Sequence, residues 1–329
     1  MSSTPPAAAS LEQAQQNLQH IQTALNAHIV GQQTLISQLL VALVSGGHVL
    51  LEGLPGLGKT RLTQVLAAAI GLDMKRIQCT PDLIPADITG SETLIGGELQ
   101  QLGFRQGPVF ANLVLVDEIN RATPRTQSAL LEAMQEGQVT HLGQTYPLPQ
   151  PFRVLATQNP IELEGTFPLP EAQLDRFLFK LSVTMPDSAA LMELLELSLQ
   201  PNPDQLPEPV VNPQQLQELT EAAQQVLVAK SVREAAVALI QLTQPAADNR
   251  HRIRHGVSPR GLQALVKSAQ AQALLSGRSH VALEDLAAVS LPALRHRLLL
   301  SHEAELEGLT SDQVLEDIVA VWQGTQTPR

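Results

Sequence analysis

Eight residues, Gly53-Leu54-Pro55-Gly56-Leu57-Gly58-Lys59-Thr60, complete the pattern G-x-x-x-x-G-K-[ST] at every constant position. Glycines at these places let successive backbone N–H groups turn inward around phosphate oxygens. Lys59 adds a point charge on the terminal phosphates, and the Thr60 hydroxyl can ligate Mg²⁺. A second group able to do chemistry closes the apolar run Asn112-Leu113-Val114-Leu115-Val116-Asp117-Glu118, 58 residues beyond Lys59 at Asp117. An acidic pair at the end of a buried strand looks like a Walker B motif, with that strand adjacent to the phosphate loop. Asp117 would hold Mg²⁺ through its waters, and Glu118 would polarise an attacking water as general base.

Several elements must hold these groups in place. Residues 48–52 are a short, mostly apolar run between glycines, the signature of a buried parallel strand, and residues 61–70 read as a helix ending at Gly71. Residues 74–79 make a second strand, and residues 152–157 a fourth core strand that ends at Gln158-Asn159. Asn159 then falls between the carboxylates and the nucleotide, able to orient the water or sense the terminal phosphate. It can equally be a turn residue. Residues 170–176 form a short helix before a fifth strand at 177–183. Arg176 at its end reads either as a finger inserted into a neighbouring subunit's ATP site or as the partner of Asp175 or Glu171 in a salt bridge.

Composition narrows the classes. A chain of 329 residues predicts about two domains with a sizeable core, and 2% aromatic content leaves Leu, Val, Ile and Ala to build it. A net charge of −11 disfavours a field that attracts nucleic acid or anionic membrane surfaces. One cysteine, Cys79, cannot form an intramolecular disulfide, which suits a reducing, cytoplasmic setting. The N-terminus has no basic segment followed by an apolar one, and no run approaches the roughly 18 apolar residues of a spanning helix, so neither secretion nor membrane insertion is expected.

The remaining chain reads as follows. Residues 1–9 are small, Pro-containing and expected to be disordered; residues 11–27 and 34–44 have helical spacing on either side of the turn Ile29-Val30-Gly31-Gln32. Residues 96–107 alternate weakly between glycines, as a hairpin or exposed loop. Residues 123–135 make a helix with Thr123 as cap and Pro124 at its first position, and residues 137–149 a protruding strand-turn-strand. Pro186-Asp187 marks a boundary, separating an α/β core at 10–186 from an all-helical lid at 187–329, with helices at 189–199, 216–228, 232–242, 259–275, 283–298 and 311–321 and a proline-rich linker at 201–213. In Ser258-Pro259-Arg260, Ser258 caps and Pro259 opens a helix, so Arg260 lies in its first turn facing the cleft or is one more solvated arginine. Arg250, His251, Arg252, Arg254 and His255 form a basic cluster, read as a solvated loop first and an intersubunit contact second, with no aromatic residue interleaved for base stacking.

With the phosphate loop, residues 80–90, Val116-Asp117-Glu118-Ile119-Asn120-Arg121-Ala122, Ala156-Thr157-Gln158-Asn159-Pro160, residues 169–177 and Ser258-Pro259-Arg260 in place, the chain resembles MoxR-family AAA+ ATPases from about Val30 onward. The resemblance implies an α/β phosphate-loop NTPase with a central five-stranded parallel sheet and a smaller helical lid. It implies a nucleotide-binding set of Val30, Gly31, Gly53, Pro55, Gly56, Leu57, Gly58, Lys59, Thr60 and Arg61, with Thr60 and Asp117 at Mg²⁺. It further implies sensor-1 for Asn159, a finger for Arg176, with Arg121 and Arg125 as other arginines able to reach an interface, sensor-2 for Arg260 and a helix-2 insert at 137–149. A finger acting in trans implies a ring, usually a hexamer. By the same likeness, ATP hydrolysis would drive chaperone-like maturation of protein clients, often with a von Willebrand factor A domain partner. A nucleic-acid motor would share the ATP site, but the 137–149 hairpin contains no Lys or Arg. A nucleotide-gated scaffold with little hydrolysis is the other alternative, and Glu118 and Asn159 speak against it.

Overall fold

The computed structural model describes residues 8–95, 101–161, 165–199, 205–246 and 252–326. Its centre is a parallel sheet of β1 (Val49–Glu52), β2 (Met74–Gln78), β3 (Leu113–Asp117), β4 (Arg153–Gln158) and β5 (Phe179–Ser182), in spatial order β2-β3-β4-β1-β5. The acidic strand β3 is therefore not next to β1, contrary to the sequence expectation; β4 lies between them. Burial explains the order. Val154, Leu155 and Ala156 of β4 are fully enclosed and suit a central strand, whereas Lys75 and Arg76 of β2 are exposed and suit an edge.

Side chains alternate across the sheet even where the strands are uniformly apolar. Val49, Leu51, Leu113, Leu115 and Leu155 enter one apolar layer, which the helices Gln33–Val44 and Lys59–Ile70 close. Leu50, Val114, Val116, Val154 and Ala156 enter the other, closed by the helix Pro124–Glu136. The first layer continues without a break into the helices of the C-terminal half. Each fully enclosed aliphatic side chain contributes about 1.5–3 kcal/mol, so these layers carry the fold.

The helices that matter for the site have readable ends. Lys59–Ile70 starts after Gly58 (φ 77°) and stops at Gly71 (φ 64°), both left-handed positions that glycine adopts without strain. Pro259–Leu275 has the expected bounds, with Ser258 Oγ accepting from the Gly261 amide at 3.3 Å. Thr123, expected as a side-chain cap for Pro124–Glu136, caps no amide; its hydroxyl pairs with that of Thr126 at 3.2 Å.

Other expectations need correction. The strands Gly90–Ile95 and Gln101–Gln106 form a wider hairpin than residues 96–107, and residues 96–100 lie outside the described residues. It meets the second hairpin, Gln138–His141 with Gln144–Pro147, where the Phe104 and Tyr146 rings stack with centroids 4.4 Å apart. The C-terminal half is not purely helical. Ile253–His255 pairs antiparallel with Leu299–Leu300, and the preceding helix ends at Leu294 rather than 298, the amides of Arg297 and Leu298 both bonding to the Leu294 carbonyl before the strand begins. The first helix begins at Ala8, so residues 8 and 9 are helical, while residues 1–7 lie outside the described residues, as do 201–204 of the linker and Arg250 and His251 of the basic cluster. No described helix is long and apolar enough to cross a membrane.

Candidate nucleotide site

The phosphate loop leaves the C-terminal end of β1. Gly56 (φ 82°) and Gly58 (φ 77°) are left-handed, and a Cβ on either would meet nothing, so their requirement is conformational. Gly53 is constrained differently: a Cβ there would sit 2.7 Å from the Val183 carbonyl oxygen. Lys59 folds back into the loop, its Nζ donating to the carbonyls of Gly53 (2.5 Å) and Leu54 (2.9 Å). Burial lowers the Lys59 pKa, an effect opposed by the carboxylates of Asp117 and Glu118.

Strand register brings the acids to the same end. Gln78 of β2 is paired with Asp117 of β3, Val116 with Ala156 of β4, and Leu51 of β1 with Thr157. Lys59, Thr60, Arg61, Asp117, Glu118 and Asn159 thus line one cavity of about 420 Å³, with Pro55, Gly56, Leu57 and Gly58 on its wall. Thr157 is the hinge of the acidic pair: its hydroxyl donates to Asp117 Oδ1 at 3.2 Å and accepts from the Glu118 amide at 2.9 Å. Glu118 is left-handed at φ 56°, a conformation costly for a residue with a Cβ and concentrated at functional sites. Asn159 is buried; its Oδ1 accepts from the Ile161 amide at 3.2 Å, so it is a turn residue and a cavity residue at once.

Three contributors escaped sequence reasoning. Arg76 Nε donates to Asp117 Oδ2 at 2.7 Å, and its Nη2 to Gln78 Oε1 at 2.9 Å. Gln78 Nε2 in turn donates to Glu118 Oε2 at 3.2 Å, an oxygen that also accepts from Arg121 Nη1 at 3.1 Å. Arg76 and Gln78 stand two apart on a strand and so share a face, which was the available signal. Thr157 carried no signal beyond ending an apolar run.

A second cavity of about 260 Å³ adjoins the first, sharing Gly56, Leu57, Gly58 and Arg61 and adding His28, Ile29, Val30, Met185, Leu191 and Leu194 among others. Its apolar walls suit a flat ring. Gly31 (φ 71°) shapes rather than lines it, since a Cβ there would come within 2.5 Å of Ala190 Cβ.

Arg176 and Arg260 are elsewhere. Both line a cleft of about 370 Å³ with Gly46, Gly47 and His48, which precede β1, and with Lys267 and Arg297. This is the opposite end of β1 from the phosphate loop, so the chain does not bring these arginines to its own acidic pair. Arg176 makes no ion pair with Asp175 or Glu171 among the described residues; its Nη1 donates to the Leu131 carbonyl at 2.7 Å. Asp175 is instead held by Arg297 Nε at 2.6 Å, with Arg260 Nε at 4.0 Å. Burial lowers the Arg297 pKa, and the Asp175 hydrogen bond opposes that shift. In the basic cluster, Arg252 pairs with Asp317 at 2.6 Å and Arg254 with Glu171 at 3.6 Å.

A phosphate loop on the first strand of this sheet, an acidic pair two strands away and a mainly helical C-terminal half define an AAA-type phosphate-loop ATPase fold. Residues 48–179 match the ATPase family associated with various cellular activities (AAA), and residues 245–318 match the AAA lid domain. The chain is 40% identical over 296 residues to the chaperone MoxR1 of Mycobacterium tuberculosis, covering 88% of this chain and 78% of that one. It is 33% identical to the protein MoxR of Paracoccus denitrificans, covering 85% and 88%, and 44% identical to the uncharacterised Bacillus subtilis protein YeaC, covering 90% and 91%. The crystal structure of a candidate ATPase from Cytophaga hutchinsonii superposes with a TM-score of 0.89 at 37% identity, covering 95% of this chain and 96% of that one. The chain belongs to the MoxR family of AAA+ ATPases.

Proposed function

We propose that this protein hydrolyses Mg-ATP in a cytoplasmic homo-oligomeric ring, a hexamer, and uses the cycle to remodel protein clients. The observation that carries the shared-site reading is the separation of the arginines from the acids. Arg176 and Arg260 lie at the opposite end of β1 from Lys59 and Glu118, so they meet a terminal phosphate only when the cleft of one subunit faces the loop of the next.

Within one subunit, the loop amides and Lys59 hold the phosphates, and Val30 and Leu57 cover the base. Asp117 is a buried carboxylate already balanced by an exposed cation, and the Thr60 hydroxyl shares its cavity. This donor set fits Mg²⁺, which keeps waters and takes few protein oxygens alongside substrate phosphates. When bound, the ion neutralises charge on the phosphates. Glu118 accepts a proton from the attacking water as its oxygen bonds to the terminal phosphorus, and Asn159 fixes that water. The bond from that phosphorus to the bridging oxygen breaks, and Lys59 and, from the neighbour, Arg176 and Arg260 stabilise the negative charge that moves onto the leaving ADP.

The client role rests on the family, relatives carrying the names chaperone MoxR1 and MoxR; a von Willebrand factor A domain partner is part of the proposal and rests on the sequence resemblance alone. ATP turnover per subunit, measured against protein concentration with Mg²⁺ present, tests the shared site. Activity per subunit should rise with concentration, and Arg176→Ala should bind ATP yet turn it over far more slowly. A flat profile with an unaffected variant would remove the ring from the mechanism.

A further inference from the structure

We propose that His28 selects adenine over guanine by accepting a hydrogen bond from the base's exocyclic amino group at Nε2. This deepens the nucleotide reading above and rests on it.

His28 lines the 260 Å³ cavity that opens into the phosphate-loop cavity through four shared residues. Three of the chain's exposed large apolar side chains, Met185, Leu191 and Leu194, line the same space. Surface of that kind gains most when a flat, apolar-faced ring covers it. Hydrophobic faces hold a purine but cannot tell one from another; discrimination requires a polar atom of settled sense.

His28 supplies that atom. Its Nδ1 lies 2.9 Å from the Ala24 carbonyl oxygen, which can only accept. The neutral ring therefore carries its hydrogen on Nδ1, leaving Nε2 with a lone pair. No residue among those described partners Nε2. At its six position adenine presents an N–H donor where guanine presents a carbonyl acceptor. Nε2 pairs with the first and opposes the second. Gln32, which also lines the cavity, can turn either its oxygen or its nitrogen inward and so has no built-in preference. Arg61 gives Nη2 to the Gln205 carbonyl at 2.8 Å.

Equilibrium binding without turnover tests this. Dissociation constants for ATP, GTP and the triphosphate of unsubstituted purine riboside would be measured by displacement of a fluorescent ADP from the full chain. The proteins compared are wild type, His28→Leu, His28→Gln and Lys59→Ala. Loss of one hydrogen bond should weaken ATP binding to His28→Leu by about threefold to tenfold and leave the unsubstituted purine unaffected. The preference for ATP over GTP should fall by a similar factor. His28→Gln, which can keep an acceptor while its amide nitrogen serves Ala24, should recover part of it. Equal weakening of ATP and unsubstituted purine in His28→Leu, or no weakening of either, overturns the assignment to His28 while leaving the site reading intact. ATP binding unchanged in Lys59→Ala would instead overturn the nucleotide reading, and the role of His28 with it.

Discussion

Replacing Arg76 by Met would remove the cation paired with Asp117 while keeping most of the stem's bulk. Asp117 has both oxygens engaged: Oδ1 by the Thr157 hydroxyl at 3.2 Å and Oδ2 by Arg76 Nε at 2.7 Å. Each oxygen keeps a lone pair for a metal-bound water, but a second cation at Asp117 meets the charge of Arg76, which is the more easily moved, its side chain being 51% exposed against 8% for Asp117. A pair open to water at one end resembles a surface ion pair more than a buried one, so breaking it costs about 0.5–1 kcal/mol rather than the 3–5 kcal/mol of a buried pair. Metal binding to wild type must supply that energy; binding to Arg76→Met need not. At saturating fluorescent ADP, a Mg²⁺ titration of metal-stripped protein should show a midpoint about twofold to fivefold lower in Arg76→Met. Arg76→Lys, which keeps a charge, should stay near wild type. An unchanged or higher midpoint in Arg76→Met would refute the competition between Arg76 and the metal.

The other expected outcomes concern chemistry and stability. Glu118→Gln should bind ATP while its turnover falls by about 10²–10⁴, read by single-turnover phosphate release alongside nucleotide binding. Gly53→Ala should destabilise the fold by about 1–3 kcal/mol in urea denaturation, because its Cβ would meet the Val183 carbonyl oxygen at 2.7 Å. Asp175→Ala should cost about 3 kcal/mol by leaving the buried Arg297 without its carboxylate, and a melt no lower than wild type would show that the pair is not structural. His48 is half-buried at the edge of the cleft, donating from Nε2 to the Met134 carbonyl at 3.1 Å and accepting from the Val154 amide at 3.0 Å. Burial, helped by Arg153, pushes its pKa down from 6.5 to about 4. A histidine depressed in the folded state contributes stability that is present above its unfolded pKa and lost as pH falls toward the folded one. His48 alone should therefore remove about 2 kcal/mol between pH 7 and pH 5. His296, shifted the same way by burial, adds to the loss, and urea midpoints at the two pH values read the sum.

What the chain discloses before folding follows from how local each determinant is. The phosphate loop is legible because its glycines answer a backbone requirement and Lys59 and Thr60 a chemical one, all within eight residues. Four of the five core strands are legible as apolar runs, β2 with its Lys75, Arg76 and Gln78 being the exception, but their order is not: β4 enters between β1 and β3 through burial that no single run records. Arg76 and Asp117 are 41 residues apart, and only the pairing of β2 with β3 joins them. The same holds for Arg260. Its helix start is readable from Ser258 and Pro259, but the cleft it enters depends on packing of the C-terminal half against the segment before β1. One local signal was available and missed. Asn212 and Gln215 cap each other reciprocally, starting a helix at Pro213 rather than 216.

In the proposed mechanism one subunit supplies the loop and acids and its neighbour the arginines, a division that mixing of subunits would expose. Glu118→Gln and a double Arg176→Ala, Arg260→Ala variant should each be nearly inactive alone. In mixed oligomers, the intact arginines of the first can face the intact loop and acids of the second, so ATP turnover should rise well above that of either parent and peak at an intermediate ratio. Activity that remains the weighted average of the parents, in samples where a tag on one variant pulls down the other, would contradict the shared site.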